Sequence, residues 1–424
     1  MSFRGPAFLP QNSLMSTSVP PLPQRVNLRT PDVMAAVQAQ VENHYRSEIV
    51  DNLRRRGGEM SVGGVTVRLA KQFGFCYGVE RAIDLAYAAR KVFIDRNLYI
   101  LGEIIHNPEV NRQIGELGIQ NLLSKDSAAS IETLQPEDVV LVPAFGTDVT
   151  TLSKIKERGC QIVDTTCGDV MSVWKRVRQY ASEEMTSIIH GKASHEETKA
   201  TASRATSGGQ GHYLIVLTLQ ETDFVCEYIL HGGDKAAFLK RFEGAHSEGF
   251  DPDMHLKRVG VANQTTMLRG ETEEVQRRIA AAIEQRDGKS QPTSNFRFFD
   301  TICGATQERQ DALREMLNQP MDLLLVVGGY NSSNTSHLAE MGTEKLPTFF
   351  IRNAERLESK DRITHYDLHR KDEVTLDGWI RPTPVVVGIT AGASCPNNLI
   401  EETIVRLYSL FGVIHPEVLA AAKG

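Results

Sequence analysis

One short pattern, a strand that runs into a cysteine at the start of a helix, occurs three times in this chain of 424 residues. The cysteines are Cys76, Cys167 and Cys303, and the last two share the pentapeptide Asp-Thr-x-Cys-Gly. Short Val- and Ile-rich runs separated by helical stretches are typical of parallel sheets built from βαβ units. The pattern therefore predicts three similar α/β modules with small parallel sheets, arranged about a pseudo-threefold axis with one cysteine each near the centre.

The repeat also sets the predicted boundaries of the modules, since each module begins at or next to one of the three cysteines. The third module takes one strand from the beginning of the chain. The predicted divisions are residues 77–167, residues 168–302, and residues 303–412 together with the strand 65–76.

A helical extension is predicted before the repeat, over residues 31–64. Apolar residues spaced about four apart from Val33 to Tyr45 predict an amphipathic helix that runs from Pro31 to about Arg56. Proline is common in the first turn of a helix because its missing N–H has no partner there anyway.

The first 30 residues have a different composition, with five prolines, four serines, three arginines and no acidic residue. Two interpretations are open. The segment is either a disordered tail or a transit-like segment, since such targeting segments are rich in Arg and Ser and poor in acids. The first interpretation fits a cytoplasmic bacterial protein, and the second, less favoured one fits the plastid stroma.

Composition argues against several classes of function. A net charge of −6 gives no general attraction to nucleic acid, and no apolar run approaches the roughly 20 residues that cross a membrane. Six cysteines in a chain of this length are too few for a disulfide framework, which indicates a reducing compartment. We therefore expect neither a nucleic acid nor a membrane as partner.

The three repeated cysteines are candidate metal ligands. Free N–H groups and the helix dipole favour a thiolate at a helix N-terminus. Three thiolates suit an iron–sulfur cluster with one iron not ligated by protein, whereas a structural zinc site usually contains a C-x-x-C pair, which this sequence lacks. Cys160 and Cys226 are interpreted as packing residues, and Cys395 stays undecided.

Two other motifs each have two interpretations. In Ser194-His-Glu-Glu-Thr, a carboxylate beside an imidazole could deliver a proton, or Ser194 could cap a helix with Glu197 in a capping box. In Asn331-Ser-Ser-Asn-Thr, hydroxyls and amides before a helix could hold a phosphate or could only cap that helix. Loops with similar chemistry contain His106, Asn263-Gln-Thr-Thr and Gly392-Ala-Ser.

Taken in chain order, these motifs resemble the LytB-type iron–sulfur enzymes, the family of hydroxymethylbutenyl diphosphate reductases. The resemblance is greatest to the longer plant and cyanobacterial branch, whose N-terminal helical extension is similar to residues 31–60. The matching stretches are Gly74-Phe-Cys-Tyr-Gly-Val-Glu-Arg-Ala, His106-Asn-Pro-Glu-Val-Asn-Arg, Pro143-Ala-Phe-Gly, Asp164-Thr-Thr-Cys, His190-Gly-Lys-Ala-Ser-His-Glu-Glu-Thr, Asn263-Gln-Thr-Thr-Met, Ile302-Cys-Gly-Ala-Thr-Gln-Glu-Arg-Gln, Gly328-Gly-Tyr-Asn-Ser-Ser-Asn-Thr and Gly388-Ile-Thr-Ala-Gly-Ala-Ser.

The resemblance implies a role for each motif. The three cysteines would hold a [4Fe–4S] cluster, with two electrons supplied by a ferredoxin- or flavodoxin-like donor. Glu197 would supply a proton with the help of Thr265, and the small-molecule substrate would be an allylic diphosphate converted to isopentenyl and dimethylallyl diphosphate. The residues implied to bind this substrate are His106, His195, Thr266, Ser332, Ser333, Asn334 and Ser394.

The chain departs from the family pattern at four positions. Many members have a histidine where Phe145 stands, and proline with a large residue where Gly168 and Asp169 follow the second cysteine. Cys395 replaces a more usual Thr or Ala. Two other functions remain as alternatives, a cluster-bearing electron carrier or redox sensor and a zinc-dependent hydrolase.

Overall fold

The computed structural model of the chain describes residues 26–209, 211–288 and 294–424. The two interpretations of residues 1–30 therefore fall almost wholly outside the described residues. Within the described ranges, strands and helices alternate along the chain and form three separate sheets.

The segment before the repeat forms two helices instead of the single predicted one, namely α1 (Pro31–Tyr45) and α2 (Glu48–Arg55). The chain is extended at Arg46, and the Ser47 hydroxyl accepts a hydrogen bond of 2.9 Å from the N–H of Val50. A serine in this position begins a new helix because its side chain satisfies an N–H that has no acceptor within the helix.

Two antiparallel strands follow, β1 (Glu59–Val62) and β2 (Val65–Leu69). Strand β2 lies where the sequence predicts a strand. Strand β1 follows the predicted end of the helix at about Arg56 and lies within the predicted helical extension 31–64, which therefore also contains a strand. Four residues carry little periodicity, and Gly63 and Gly64 form the tight turn with positive φ angles of 59° and 78°.

A four-stranded sheet with parallel neighbours lies between Cys76 and Cys167. The order across this sheet is β4-β3-β5-β6. Its strands and helices, in chain order, are α3 (Tyr77–Val92), β3 (Leu98–Ile100), α4 (Pro108–Glu116), β4 (Ile119–Asn121), β5 (Val139–Val142), α5 (Val149–Glu157) and β6 (Gln161–Asp164).

A second four-stranded sheet with parallel neighbours lies between Cys167 and Cys303. Its order is β10-β9-β7-β8. The strands and helices here are α6 (Gly168–Ser182), β7 (Thr186–His190), α7 (Glu196–Ala205), β8 (Tyr213–Val216), α8 (Leu219–His231), α9 (Lys235–Arg241), α10 (Pro252–His255), β9 (Val259–Asn263), α11 (Arg269–Asp287) and β10 (Phe296–Phe298).

The third sheet has seven strands in the order β1-β2-β15-β11-β12-β13-β14, and its central four strands are parallel. The hairpin of β13 and β14 and strand β1 extend it on either side by antiparallel pairing. The remaining strands and helices are α12 (Gly304–Leu317), β11 (Leu323–Val327), α13 (Ser333–Thr343), β12 (Thr348–Ile351), β13 (Arg362–Asp367), β14 (Asp372–Asp377), β15 (Val385–Ala391), α14 (Asn397–Leu410) and α15 (His415–Lys423).

The parallel parts of the three sheets share one topology. Counted from the helix that follows each cysteine, the order across the sheet is second, first, third, fourth: β4-β3-β5-β6, β8-β7-β9-β10 and β12-β11-β15-β2. In each sheet the fourth strand leads to one of the three cysteines and to the first helix of another module. The predicted fold class, three similar α/β modules around a centre, is confirmed.

The central strands of the sheets are buried on both faces, as parallel strands covered by helices must be. All five residues of β11, for example, are at most 2% exposed. Full burial of a Leu or Val side chain stabilises the folded state by about 1.5–3 kcal/mol. The sheets are thus rigid supports for the loops at their carboxyl ends.

No single helix among the described residues is long and apolar enough to cross a membrane. Helices α14 and α15 reach that length and composition only as a pair, and they are bent by 117° relative to each other.

Candidate active site

Loops at the carboxyl ends of parallel strands surround a cavity. This end of the strands is where open α/β sheets bind ligands. All twelve residues that the sequence and the resemblance propose for the site line this cavity, together with nearby small and apolar residues. The twelve are Cys76, His106, Cys167, His195, Glu197, Thr265, Thr266, Cys303, Ser332, Ser333, Asn334 and Ser394.

The three cysteines occupy equivalent positions, each directly before a helix: Cys76 before α3, Cys167 before α6 and Cys303 before α12. All three are free thiols. A Cβ atom added to Gly78 would lie 2.5 Å from the Cys167 Sγ and 3.9 Å from the Cys76 Sγ. Sulfurs from different modules therefore approach one point, and a glycine leaves the space between them open.

Burial, together with a hydrogen bond and the negative charge of Asp169, raises the pKa of the Cys303 thiol to about 12. Burial also raises the pKa of the Cys167 thiol, while the N–H groups at the start of α6 act in the opposite direction. At neutral pH a bound metal must therefore displace protons from these thiols, which is how metal binding and protonation are coupled.

This set of donors fits an iron–sulfur cluster with three protein ligands. Closed clusters take four thiolates, so three leave one iron open to another ligand. Among the described residues no other cysteine lines the cavity, because Cys160, Cys226 and Cys395 are buried elsewhere. Three sulfurs in equivalent positions before three helices also suit a compact metal group shared between the modules.

Glu197 lies in the first turn of α7 with 3% of its surface exposed. One carboxylate oxygen accepts a hydrogen bond of 2.6 Å from the N–H of Thr265, and the other accepts one of 3.0 Å from the Thr265 hydroxyl. Burial raises the pKa of Glu197 to about 7, although both hydrogen bonds lower it. An acid with a pKa near neutrality is well suited to proton transfer.

Glu196 differs from its neighbour although the two side chains are chemically identical. Its side chain is 55% exposed, and one carboxylate oxygen lies 3.8 Å from the Nε2 of His106. Successive side chains in a helix point about 100° apart, so only one of the two can face the cavity. Ligand atoms of Glu196, His106 and His195 lie within 4.8 Å of one another.

The second interpretation of the Ser194 motif, a capping box with Ser194 as the cap, is wrong. Helix α7 begins one residue later than the box requires, and its N-cap is His195, whose Nδ1 accepts a hydrogen bond of 3.2 Å from the N–H of Glu197. This hydrogen bond fixes the orientation of the His195 ring, and the Nε2 on its other side takes no part in capping the helix. Burial lowers the pKa of His195 to about 3, so the free ring is neutral at physiological pH.

Hydroxyls and an amide form a polar wall that belongs to the third module. Ser332 caps α13, and its Oγ lies 3.4 Å from the Oγ of Ser394. The Oδ1 of Asn334 accepts a hydrogen bond of 2.9 Å from the N–H of Ala393, which ties the two loops together. Ser333 and, from the second module, Thr266 add further hydroxyls to the cavity.

Three buried nitrogen atoms of this region have no hydrogen-bond partner among the described residues: His106 Nε2, His195 Nε2 and Asn334 Nδ2. A buried polar group without a partner costs about 1–3 kcal/mol. All three belong to residues that line the cavity. An anionic ligand that accepts hydrogen bonds from them would remove this cost.

His106 lies on the loop between β3 and α4, and the ring of Phe145 stacks on it with a centroid distance of 4.6 Å and an angle of 11°. Its Nδ1 lies 3.0 Å from Glu103, and its ring is 5.0 Å from that of His195. Phe145, one of the departures from the family pattern, thus packs against His106, which the resemblance implies as a substrate ligand.

Several cavity residues carry no chemistry that a motif search detects. Gly78, Ala305 and Ala393 are small residues that leave room beside the thiols and the serines, and Thr306 lies one turn into α12. The sequence indicates these residues only by their position, since each lies within three residues of a cysteine or serine of the site. Asp169 also lines the cavity, although the sequence marks it only as a departure.

Known proteins resemble the chain over most of its length. The family model described as LytB protein matches residues 67–408. The chain is 47% identical over 403 residues to the 4-hydroxy-3-methylbut-2-enyl diphosphate reductase of Gloeobacter violaceus, covering 92% of this chain and 95% of the relative. It is 45% identical over 378 residues to the protein of the same name from Thermosynechococcus vestitus, covering 89% and 92%.

Solved structures agree with this similarity. A structure of (E)-4-hydroxy-3-methyl-but-2-enyl diphosphate reductase, the terminal enzyme of the non-mevalonate pathway, superposes with a TM-score of 0.51 at 26% identity, covering 81% of this chain and 99% of the other. The Plasmodium falciparum structure of E-1-hydroxy-2-methyl-but-2-enyl-4-diphosphate reductase has the same fold, with a TM-score of 0.57 at 20% identity, covering 80% and 86%. With its three repeated α/β modules and this coverage, the chain belongs to the LytB family.

Proposed function

We propose that this chain is a 4-hydroxy-3-methylbut-2-enyl diphosphate reductase of the non-mevalonate isoprenoid pathway. The reaction consumes two electrons and two protons, breaks the bond between carbon and the hydroxyl oxygen, and releases water with isopentenyl or dimethylallyl diphosphate. The observation that carries the proposal is a single cavity that contains three thiols, a buried acid with a pKa of about 7, and a wall of hydroxyls and unpartnered nitrogens.

Cys76, Cys167 and Cys303 would hold a [4Fe–4S] cluster with one iron not ligated by protein. When bound, the cluster supplies single electrons and a Lewis-acidic iron for cleavage of the C–O bond. The electrons would come from a ferredoxin- or flavodoxin-like donor. Support for the three ligands comes from their equivalent positions before α3, α6 and α12 and from the shared cavity.

Glu197 would donate the proton that turns the hydroxyl into water. Hydroxide leaves slowly, so a proton donor beside the breaking bond contributes roughly 10²–10⁴-fold to the rate. Thr265 would hold the carboxyl in place, since it donates two hydrogen bonds to it, and its hydroxyl can turn toward the substrate when Glu197 is protonated. We assign the catalytic proton to Glu197 and not to the exposed Glu196.

The diphosphate would lie along the polar wall and accept hydrogen bonds from it. Each charge-assisted hydrogen bond contributes about 1.5–3 kcal/mol, so several neutral donors can hold an anion that lacks a lysine or arginine partner. The three buried nitrogen atoms without a hydrogen-bond partner, on His106, His195 and Asn334, would donate hydrogen bonds to the diphosphate. The proposed diphosphate ligands are His106, His195, Thr266, Ser332, Ser333, Asn334 and Ser394.

Two further assignments accompany this function. We propose that the enzyme acts in the cytoplasm, since the relatives compared above include bacterial enzymes of the same name. We also propose the division of the chain at residues 77–167, 168–302 and 303–412 with 65–76, because these segments coincide with the three repeats of one strand order.

Anaerobic purification followed by turnover tests the function directly. Protein with its full content of iron and sulfide, given a chemical one-electron reductant and the allylic diphosphate, should form both products. Full cluster content without any product would contradict the proposal and favour the alternative of an electron carrier or sensor. Zinc in place of iron would favour the hydrolase.

A further inference from the structure

Arg309 is a buried cation without an acidic partner. It lies on α12, six residues after Cys303, with 4% of its surface exposed. In the described part of the chain it forms no ion pair with a carboxylate, and its hydrogen bonds all end on backbone carbonyls. Burying an unpaired charge costs several kcal/mol unless another charge compensates it.

Those carbonyls belong to the loop that carries Cys76. The Nε and one terminal nitrogen of Arg309 donate to the carbonyl of Gly74 at 3.2 and 2.5 Å, and the same terminal nitrogen donates to that of Phe75 at 3.1 Å. The other terminal nitrogen donates to the carbonyl of Ala305 at 2.7 Å. One guanidinium thus joins the two residues before Cys76 to the helix that begins after Cys303.

The guanidinium of Arg309 lies beside two of the three cysteine turns, those of Cys76 and Cys303. Burial lowers the pKa of Arg309, and the groups that oppose this most are the Cys76 and Cys303 thiols, ahead of Glu308 and Glu80. Since no carboxylate pairs with the guanidinium, the thiolates of the loaded site are its natural counter-charge. The arginine is therefore placed to act on the loop and on the electrostatic potential of the site.

A second arginine donates hydrogen bonds to the equivalent carbonyls before the next cysteine. Arg81 lies on α3, which begins after Cys76, and donates to the carbonyls of Thr165 and Thr166 at 3.3 and 3.1 Å. These are the two residues before Cys167, just as Gly74 and Phe75 precede Cys76. The repetition between modules indicates that the contact serves the cysteine turns and not only the packing of one helix.

We propose that Arg309 is a positioning residue for the iron–sulfur cluster, one that fixes the turn of Cys76 and supplies the buried positive charge that raises the cluster's midpoint potential. This inference rests on the proposed function, since it needs a cluster on the three cysteines. The potential of such clusters depends on net charge, on hydrogen bonding and on exposure to solvent, so a buried cation stabilises the more negative, reduced form.

The test compares Arg309→Gln, Arg309→Lys and Arg54→Gln as anaerobically loaded proteins. Arg54 is a matched control, because it donates to the carbonyl of Phe73 in the same loop at 2.8 Å but lies exposed. Two quantities are measured: the midpoint potential of the cluster by redox titration, and the rate at which a chelator removes its iron. Neither quantity requires turnover.

Arg309→Gln should lower the ratio of reduced to oxidised cluster at a fixed solution potential by about tenfold, equivalent to about 59 mV for a one-electron couple. It should also speed the loss of iron several-fold. Arg309→Lys keeps the positive charge but cannot form the same set of hydrogen bonds as the planar guanidinium. Iron loss should therefore be faster than in wild type, while the ratio of reduced to oxidised cluster stays within about twofold of wild type. Arg54→Gln should leave the ratio within about twofold.

The inference would be overturned if Arg309→Gln had the same ratio of reduced to oxidised cluster as wild type. It would also be overturned if Arg54→Gln changed that ratio as much as Arg309→Gln does. If Arg309→Gln cannot retain iron at all, Arg309→Lys decides: a tenfold change of its ratio contradicts the role of the charge, and an unchanged ratio supports it. Wild-type protein that carries no iron–sulfur cluster would instead contradict the proposed function, and that result is seen before any variant is made.

Discussion

The thiol side of the cavity and its polar side are built differently. The three cysteines occupy equivalent positions, each after the fourth strand of one sheet and directly before the first helix of another module. The polar groups come from unequal positions: the first module gives His106, the second gives His195, Glu197 and two threonines, and the third gives the serines and Asn334. On the proposed function, the repeated fold would fix where the cluster binds, whereas single residues within each module would determine which anion binds beside it.

The comparison would fail if the three cysteines were not equivalent in effect. Replacing Cys76, Cys167 or Cys303 by serine should abolish turnover and remove most of the iron in each case, because a cluster with only two thiolates is poorly held. Iron and sulfide content and product formation are the measurements. Retention of both in two of the three variants would contradict the assignment, and Cys160→Ser and Cys226→Ser, which alter buried residues outside the cavity, should retain both.

The polar side contains an internal control in its two adjacent glutamates. Glu197→Gln keeps the size of the side chain but removes its proton, so kcat should fall by roughly 10²-fold or more while substrate still binds. Glu196→Gln should change kcat by less than about threefold, because its side chain is 55% exposed. Steady-state kinetics of the two variants decide the matter, and the reverse ranking would move the proton route to Glu196.

The pKa of about 7 at Glu197 predicts how the rate depends on pH. Only the protonated acid can donate, so kcat should be constant below that pKa and fall about tenfold per pH unit above it. The pH profile should keep this limb in Glu196→Gln and lose it in Glu197→Gln. A limb that survives in Glu197→Gln would belong to another group.

The smallest effect is expected at the polar wall, because many hydrogen-bond donors would contribute to binding of the diphosphate. Asn334→Ala should raise KM for the diphosphate about tenfold with the cluster content unchanged, the loss of one charge-assisted hydrogen bond of about 1.5 kcal/mol. Asn331 is the matched control: it is a nearby amide that donates to Glu103 at 2.7 Å and does not line the cavity. Equal KM values for Asn334→Ala and Asn331→Ala would mean that the diphosphate lies elsewhere.

The symmetric part of the molecule was also the more predictable part. Three cysteines before helices and short strands alternating with helices are local patterns. The sequence therefore predicts the three modules and the parallel direction of their strands. The pairing of β2 with β15 joins residues far apart in the chain, but the repeat itself requires that missing fourth strand.

What the sequence could not predict depends on weak local signals or on distant contacts. Strand β1 has only four residues and β14 is mostly exposed, so neither carries a strong apolar signal. The break between α1 and α2 depends on a single serine cap. The position of His195 as a helix cap was missed because Ser194 has the better capping propensity, whereas the Nδ1 of His195 accepts the capping hydrogen bond instead.

The spectrum of the iron itself tests the central claim most directly. Mössbauer spectra of ⁵⁷Fe-loaded protein should resolve about three quarters of the iron as thiolate-ligated sites and about one quarter as a distinct site, since three cysteines serve four irons. Adding the allylic diphosphate should change the signal of the minority site and leave the majority nearly unchanged, in wild type and in Glu197→Gln alike. Four equivalent irons, or a minority site that does not respond to the diphosphate, would contradict the account.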